Sequence, residues 1–181
     1  MSTAFAALAL VALPALAQKV RLETSAGAIV VELEAEKAPK TVANFLQYVR
    51  AGHYNGTVFH RVIEDFMIQG GGYKADLGEK PTRAPIALES ATGLSNLRGT
   101  LAMARTANPD SATSQFFINV VDNLFLDQAN SRDGNGYAVF GKVIEGMDVV
   151  DKIKAVPTRE SGVYTNLPVT AVTIRKATVE K

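Results

Sequence analysis

Residues 111–120 read SATSQFFINV. In a strand, successive side chains alternate between the two faces. Phe116, Ile118 and Val120 then share one face, and Gln115, Phe117 and Asn119 share the other. The first face is wholly apolar, as a barrel core requires. The second mixes amide with aromatic. That mixture suits a ligand surface, where apolar contact is combined with a few orienting polar groups. It equally suits a solvent-facing strand with one stray Phe.

Residues 59–69, FHRVIEDFMIQ, repeat this chemistry. Strand signals run over 57–63 and 66–69, with Glu64-Asp65 as a turn or bulge between them. Arg61 sits among aromatics, and an arginine is costly to desolvate without a partner. Gln69 closes the second run beside Phe66 and Met67. Two patches of like composition point to a groove. Alternation across the Glu64-Asp65 break does not decide whether Arg61 and Gln69 share the outer face of Gln115 and Phe117.

Outward from these stretches the chain stays strand-rich. Residues 19–33 alternate on both sides of a Ser25-Ala26-Gly27 turn, a hairpin signal. Val42, Phe45, Leu46 and Val49 lie at helical spacing, with Pro39 at the start and Gly52 at the stop. Residues 70–99 read as loop with a short strand at PIALE (85–89). Strands are expected at 99–105 and 114–120, an irregular loop at 123–137, and another strand at 138–146. A short amphipathic helix follows over 147–156, carrying Val149, Val150 and Ile153. An alternating strand closes the chain from Val169. Many strands with two helices predict an antiparallel barrel or sandwich closed off by helices.

Length and composition agree with one domain: 181 residues, 47% hydrophobic and 20% charged. A net charge of +1 gives no general attraction to nucleic acid or an anionic membrane. Zero cysteines exclude disulfides, thiolate catalysis and cysteine-held metals. His60 and Glu64 have helical metal spacing, but in a β-rich stretch they do not converge, and no third ligand is evident. Ser111 and Ser114 lack a nucleophile elbow. No phosphate-binding glycine motif follows a strand. Residues 1–17 are apolar and end in Ala15-Leu16-Ala17, a small-x-small cleavage pattern, although no Lys or Arg precedes the apolar run. They read as a signal peptide ahead of a single domain at 18–181, which predicts export.

The segments FHRVIEDFMIQGGG, GTLAMARTANPDSATSQFFIN, FLD and YAVFGKVIEGMDVVDKI together resemble a cyclophilin, a peptidyl-prolyl cis-trans isomerase. The resemblance spans about residues 19–178, and the MARTANPDSATSQFFIN form is similar to exported, periplasmic bacterial cyclophilins. It implies a mainly β fold, a closed eight-stranded antiparallel barrel capped by two α-helices, with the active groove outside the barrel. By the same resemblance Arg61 is the catalytic arginine. Phe66, Met67, Phe117 and Leu126 match the proline pocket. Gln69 and Gln115 match groups that hold the peptide and orient the arginine. Ala104 and Arg105 match the strand edge where substrate backbone binds, and His60 stands beside the site as support. Phe125 and Tyr137 occupy positions where many eukaryotic cyclophilins carry Trp and His. Because Phe lacks the indole N–H, weak cyclosporin binding is implied. The implied partners are proline-containing unfolded or flexible polypeptides, acted on by a monomer with no metal or cofactor.

Overall fold

The computed structural model describes residues 18–180. The expected signal peptide at 1–17 lies outside the described residues. Ten strands form: β1 (Lys19–Thr24), β2 (Gly27–Leu33), β3 (Thr57–Ile63), β4 (Met67–Lys74), β5 (Thr100–Met103), β6 (Phe116–Asn119), β7 (Val139–Glu145), β8 (Thr158–Ser161), β9 (Tyr164–Pro168) and β10 (Thr173–Glu180). Two helices, α1 (Pro39–Arg50) and α2 (Met147–Lys154), complete the regular structure of the described residues with one 3-10 turn at Leu124–Leu126. Eight strands close into a barrel in the order β1-β10-β3-β4-β6-β5-β7-β2. Every adjacent pair is antiparallel. Of the two architectures that strand content allowed, the barrel is the one formed. Closure leaves its sheet without an exposed edge.

The alternation at 115–120 resolves as one inner and one outer face. Phe116, Ile118 and Val120 are fully buried in the main core with Val20, Leu22, Ile29 and Val31. Both helices press apolar stripes into that core. Phe45 of α1 meets Phe116 edge-on at 5.5 Å and Phe140 at 5.1 Å. Val149, Val150 and Ile153 of α2 join the same cluster. Pro39 starts α1, where its missing N–H costs nothing. The next two N–H groups, of Lys40 and Thr41, donate to the remote carboxylate of Glu89 at 3.1 and 2.8 Å. An anion at a helix N-terminus is stabilising, and this one also ties the 80–90 segment to the helix.

Three departures from the sequence expectations have physical causes. Gly70, Gly71 and Gly72 are strand rather than loop. A Cβ on Gly70 would lie 2.9 Å from the Val58 carbonyl oxygen, so the glycine permits close strand approach. The PIALE segment makes a single bridge, Ile86 with Ala112. The β8–β9 hairpin was not anticipated. Its strands are short, β8 is largely exposed, and its tip is a Gly162 at φ +60°. Such a hairpin lacks the buried alternation that marks the others.

Candidate active site

A second, smaller apolar cluster lies outside the barrel, made of Met67, Ala102, Phe117, Leu126 and Val139. Strand register explains it. Arg61 pairs with Gln69, Gln69 with Phe117, Phe117 with Ala102, and Ala102 with Val139. These five residues form one row across five strands. The neighbouring row, Phe59–Gly70–Phe116–Met103, carries Phe59, Phe116 and Met103 into the main core.

Arg61 reaches the outer row because β3 carries a bulge. Between Phe59 and Arg61 the ladder advances two residues on β3 against one on β4. Phe59 and Val62 are both in the main core, which strict alternation forbids. The extra residue, His60, reverses the phase. Arg61 is thereby turned outward and half-exposed.

Over this outer cluster lies a cavity of about 520 Å³. Phe66, Met67, Phe117, Phe125, Leu126 and Tyr137 give it apolar and aromatic walls, and Arg61, Gln69, Ala104 and Arg105 complete the lining. Phe66 and Phe125 stack with ring centroids 5.7 Å apart. Phe117 meets Tyr137 edge-on at 5.7 Å. The Arg61 guanidinium stands 6.0 Å from the Phe66 ring centroid. Its Nη1 lies 3.5 Å from Gln69 Oε1, and Gln69 Nε2 donates to Gln115 Oε1 at 2.9 Å. Gln115 lines a contiguous second cavity of about 230 Å³ that shares Gln69, Ala104 and Arg105 with the first.

His60 is not brought to either cavity. Its ring is buried behind the site against Tyr73, with centroids 4.7 Å apart. It stands behind the groove rather than in it, because the bulge that frees Arg61 turns His60 away. Burial first, and then the neighbouring Arg61 charge, push its pKa down to about 4, opposed by a backbone bond to Val58. Arg105 lines the cavity, and its side chain is only 3% exposed and is committed to Asp133 at 2.6 Å.

Sequence reasoning missed a group of asparagines under the cavity floor. Asn123 donates from Nδ2 to Phe66 O and Asn119 Oδ1, both at 2.8 Å. Asn119 Nδ2 donates to Asn96 Oδ1 at 3.2 Å, and Asn96 Nδ2 to Asp127 Oδ1 at 2.9 Å. All three amides are at most 2% exposed. They fasten the 3-10 turn bearing Phe125 and Leu126 to β6. The outward position of Asn119 beside Phe117 was the only available signal, and it does not reveal burial under another segment.

The arrangement offers an apolar slot for a compact ring, bounded by one half-exposed guanidinium. Three groups of comparisons bear on it. The family model described as "Cyclophilin type peptidyl-prolyl cis-trans isomerase/CLD" matches residues 19–179. A peptidyl-prolyl cis-trans isomerase of Acinetobacter baylyi is 60% identical over 149 residues, 82% of this chain and 78% of that one. Peptidyl-prolyl cis-trans isomerase B of Escherichia coli is 54% identical over 163 residues, 90% of this chain and 99% of that one. Among crystal structures, a cyclophilin type peptidyl-prolyl cis-trans isomerase of Cryptosporidium parvum superposes with a TM-score of 0.75 at 27% identity, covering 91% of this chain and 98% of its own. The same protein in the presence of the dipeptide Ala-Pro gives 0.75 at 28% identity, covering 91% and 99%.

Proposed function

The chain belongs to the cyclophilin family and is a peptidyl-prolyl cis-trans isomerase, and on that premise we propose that Arg61 accelerates rotation by donating to the prolyl nitrogen in the twisted state. An X–Pro amide resists rotation because resonance gives its C–N bond double-bond character, with a barrier of about 18–20 kcal/mol. Twisting breaks that conjugation and leaves the nitrogen pyramidal with a usable lone pair. A guanidinium aimed at it forms its bond only then, which is differential binding of the transition state. No covalent intermediate, metal or cofactor is required.

The observation that carries this reading is the bulge at His60, which sets Arg61 at the edge of an apolar cavity beside Gln69. Phe66, Met67, Phe117 and Leu126 hold the proline ring, and Phe125 and Tyr137 extend that wall. The strand edge at Ala104 and Arg105 takes the substrate backbone. Gln69, fixed by Gln115, orients the arginine. A charge-assisted hydrogen bond is worth about 1.5–3 kcal/mol, one to two decades in rate. The ring-binding pocket and exclusion of water supply the remainder. The substrates are proline-containing unfolded or flexible polypeptides, a reading supported by the Ala-Pro dipeptide studied with the Cryptosporidium relative. The chain acts as an exported monomer whose first 17 residues are removed.

Arg61→Ala is the test. Its kcat/KM in a proline-peptide exchange assay should fall at least about ten-fold, with an unchanged far-ultraviolet spectrum. Undiminished turnover would remove Arg61 from the mechanism. A second reading, a proline-peptide-binding chaperone in which turnover is incidental, rests on the breadth of the apolar wall, where Phe125 is 57% exposed. If Arg61→Ala loses isomerisation yet still complements a deletion strain, binding is the biological role.

A further inference from the structure

The Arg105 side chain crosses beneath the loop 127–136. Its Nε donates to Gly136 O at 2.9 Å, its Nη1 to Thr106 O at 3.0 Å and its Nη2 to Asp133 Oδ2 at 2.6 Å. Its guanidinium carbon stands 4.5 Å from the centroid of the Tyr137 ring. The loop is pinched at its base, where Tyr137 N donates to Leu126 O at 2.9 Å. Gly136 makes that pinch possible: its φ is +67°, and a Cβ there would lie 2.6 Å from Gln128 N. Leu126 and Tyr137, the two residues of the pinch, both line the proline cavity. Asp133 lines no part of it and is 43% exposed at the surface.

We propose that Asp133 is a positioning residue for isomerisation: it pins the buried Arg105 guanidinium, which in turn sets the Tyr137 ring against Phe117 as a wall of the proline cavity. This rests on the reading of that cavity as the proline site. A guanidinium 3% exposed is tolerable only with an anion beside it, and removing the anion leaves a buried unpaired charge. The side chain then turns toward water, giving up both the Gly136 carbonyl and the face of Tyr137. Lysine cannot replace it, since a point ammonium lacks the planar fork and the stacking surface. Asp133 carries further support: the Asn135 N–H and the Arg105 guanidinium hold its carboxyl well below the usual carboxylate range, so it is ionised at neutral pH.

A wall touches the proline ring in planar and twisted states alike. Loss of the wall therefore weakens binding uniformly and raises KM, whereas loss of Arg61 lowers kcat. The test uses the full chain in exchange NMR with a proline peptide, comparing Asp133→Asn, Asp133→Glu, Tyr137→Ala, the Asp133→Asn/Tyr137→Ala double variant and Arg61→Ala. Asp133→Asn should raise KM about ten-fold with kcat within about two-fold, and Asp133→Glu should recover most of the loss. In the Tyr137→Ala background, Asp133→Asn should add less than about two-fold. An unchanged KM in Asp133→Asn overturns the proposal, and so does a full loss repeated in the Tyr137→Ala background. If Asp133→Asn fails to fold, Arg105→Lys takes its place, with the same KM rise expected and an unchanged KM decisive against it. Full activity in Arg61→Ala with a raised KM in Asp133→Asn would instead sink the arginine mechanism and leave the wall intact.

Discussion

Arg61 and Gln69 face each other across the β3–β4 ladder, with Arg61 Nη1 3.5 Å from Gln69 Oε1. That contact alone is long for a hydrogen bond. It is directional because Gln69 Nε2 is held at 2.9 Å by Gln115 Oε1, which turns the Gln69 carbonyl oxygen toward the arginine.

Room for Gln115 comes from Gly72, where a Cβ would lie 2.7 Å from Gln115 Cγ. Gly72→Ala therefore displaces a flexible side chain and frees the Gln69 amide to rotate. The loss of about one orienting hydrogen bond, ~1 kcal/mol, predicts a fall of about three- to ten-fold in kcat/KM. Thermal unfolding should move by only a few degrees. Activity equal to the parent would show that Gln115 does not orient Gln69.

Asn119 is the centre of the buried amide group. Its Nδ2 serves Asn96 Oδ1 and Thr100 Oγ1, and its Oδ1 accepts from Asn123. Asn119→Ala strands those partners at a site with no exposure. Each unsatisfied buried polar group costs about 1–3 kcal/mol. Urea denaturation should lose at least about 2 kcal/mol, and KM should rise as the floor bearing Leu126 loosens. A loss within error of zero would mean that water or rearrangement satisfies the stranded groups.

Phe125 is stacked on Phe66 but 57% exposed, so a larger ring fits without displacing the core. Phe125→Trp adds an indole N–H at the cavity rim. Cyclosporin, expected to bind the parent weakly, should bind the variant at least about ten-fold more tightly, the worth of one well-placed hydrogen bond. Isomerase turnover should stay within about two-fold. Tight binding by the parent in a fluorescence or calorimetric titration would refute the assigned cause.

His60 makes stability depend on pH in a window that opens above that of the carboxylates. Its folded pKa is about 4 and its unfolded value about 6.5. Above pH 6.5 both states are neutral and the residue contributes nothing. As pH falls below 6.5 the unfolded chain takes up a proton that the folded chain refuses until about pH 4. Stability is therefore lost across that window, about 3 kcal/mol in all. His60→Phe keeps a ring against Tyr73, removes the buried Nδ1 that lacks a partner, and should flatten this slope. His53, also lowered by burial, retains a residual slope of the same sign. Identical slopes for parent and variant between pH 6.5 and 4 would remove His60 as the cause.

Local pattern was enough for the parts of the protein that local pattern controls. Alternation over 115–120 separated Phe116, Ile118 and Val120 from Gln115, Phe117 and Asn119, and the barrel keeps that division. Helical spacing found the Phe45 stripe of α1 and the Val150 stripe of α2. The long ordered segments identified the family, which the matched relatives bear out. These signals survive in one dimension because the neighbours that decide them lie within a few residues.

Tertiary structure alone decided the rest, because there the deciding partner is distant in sequence. Period 2 puts Arg61 on the face of Phe59, inside the barrel. Only the pairing of β3 with β4, two residues against one at His60, reverses the phase and turns the charge outward. Gly70 and Gly71 resemble loop until the approach of Val58 and Tyr54 shows why no side chain fits. The burial of Asn119 depends on a turn that returns from residue 123, and the confinement of Arg105 depends on a loop that returns from residue 133. The sequence by itself determined the core face of its strands, the helical stripes and, through its long ordered segments, the family and the barrel that the resemblance implied. The register between strands, and the loops folded over their outer face, determined which polar side chains meet at the cavity, since hydrogen-bond pairing across a ladder is a long-range choice that no local period encodes.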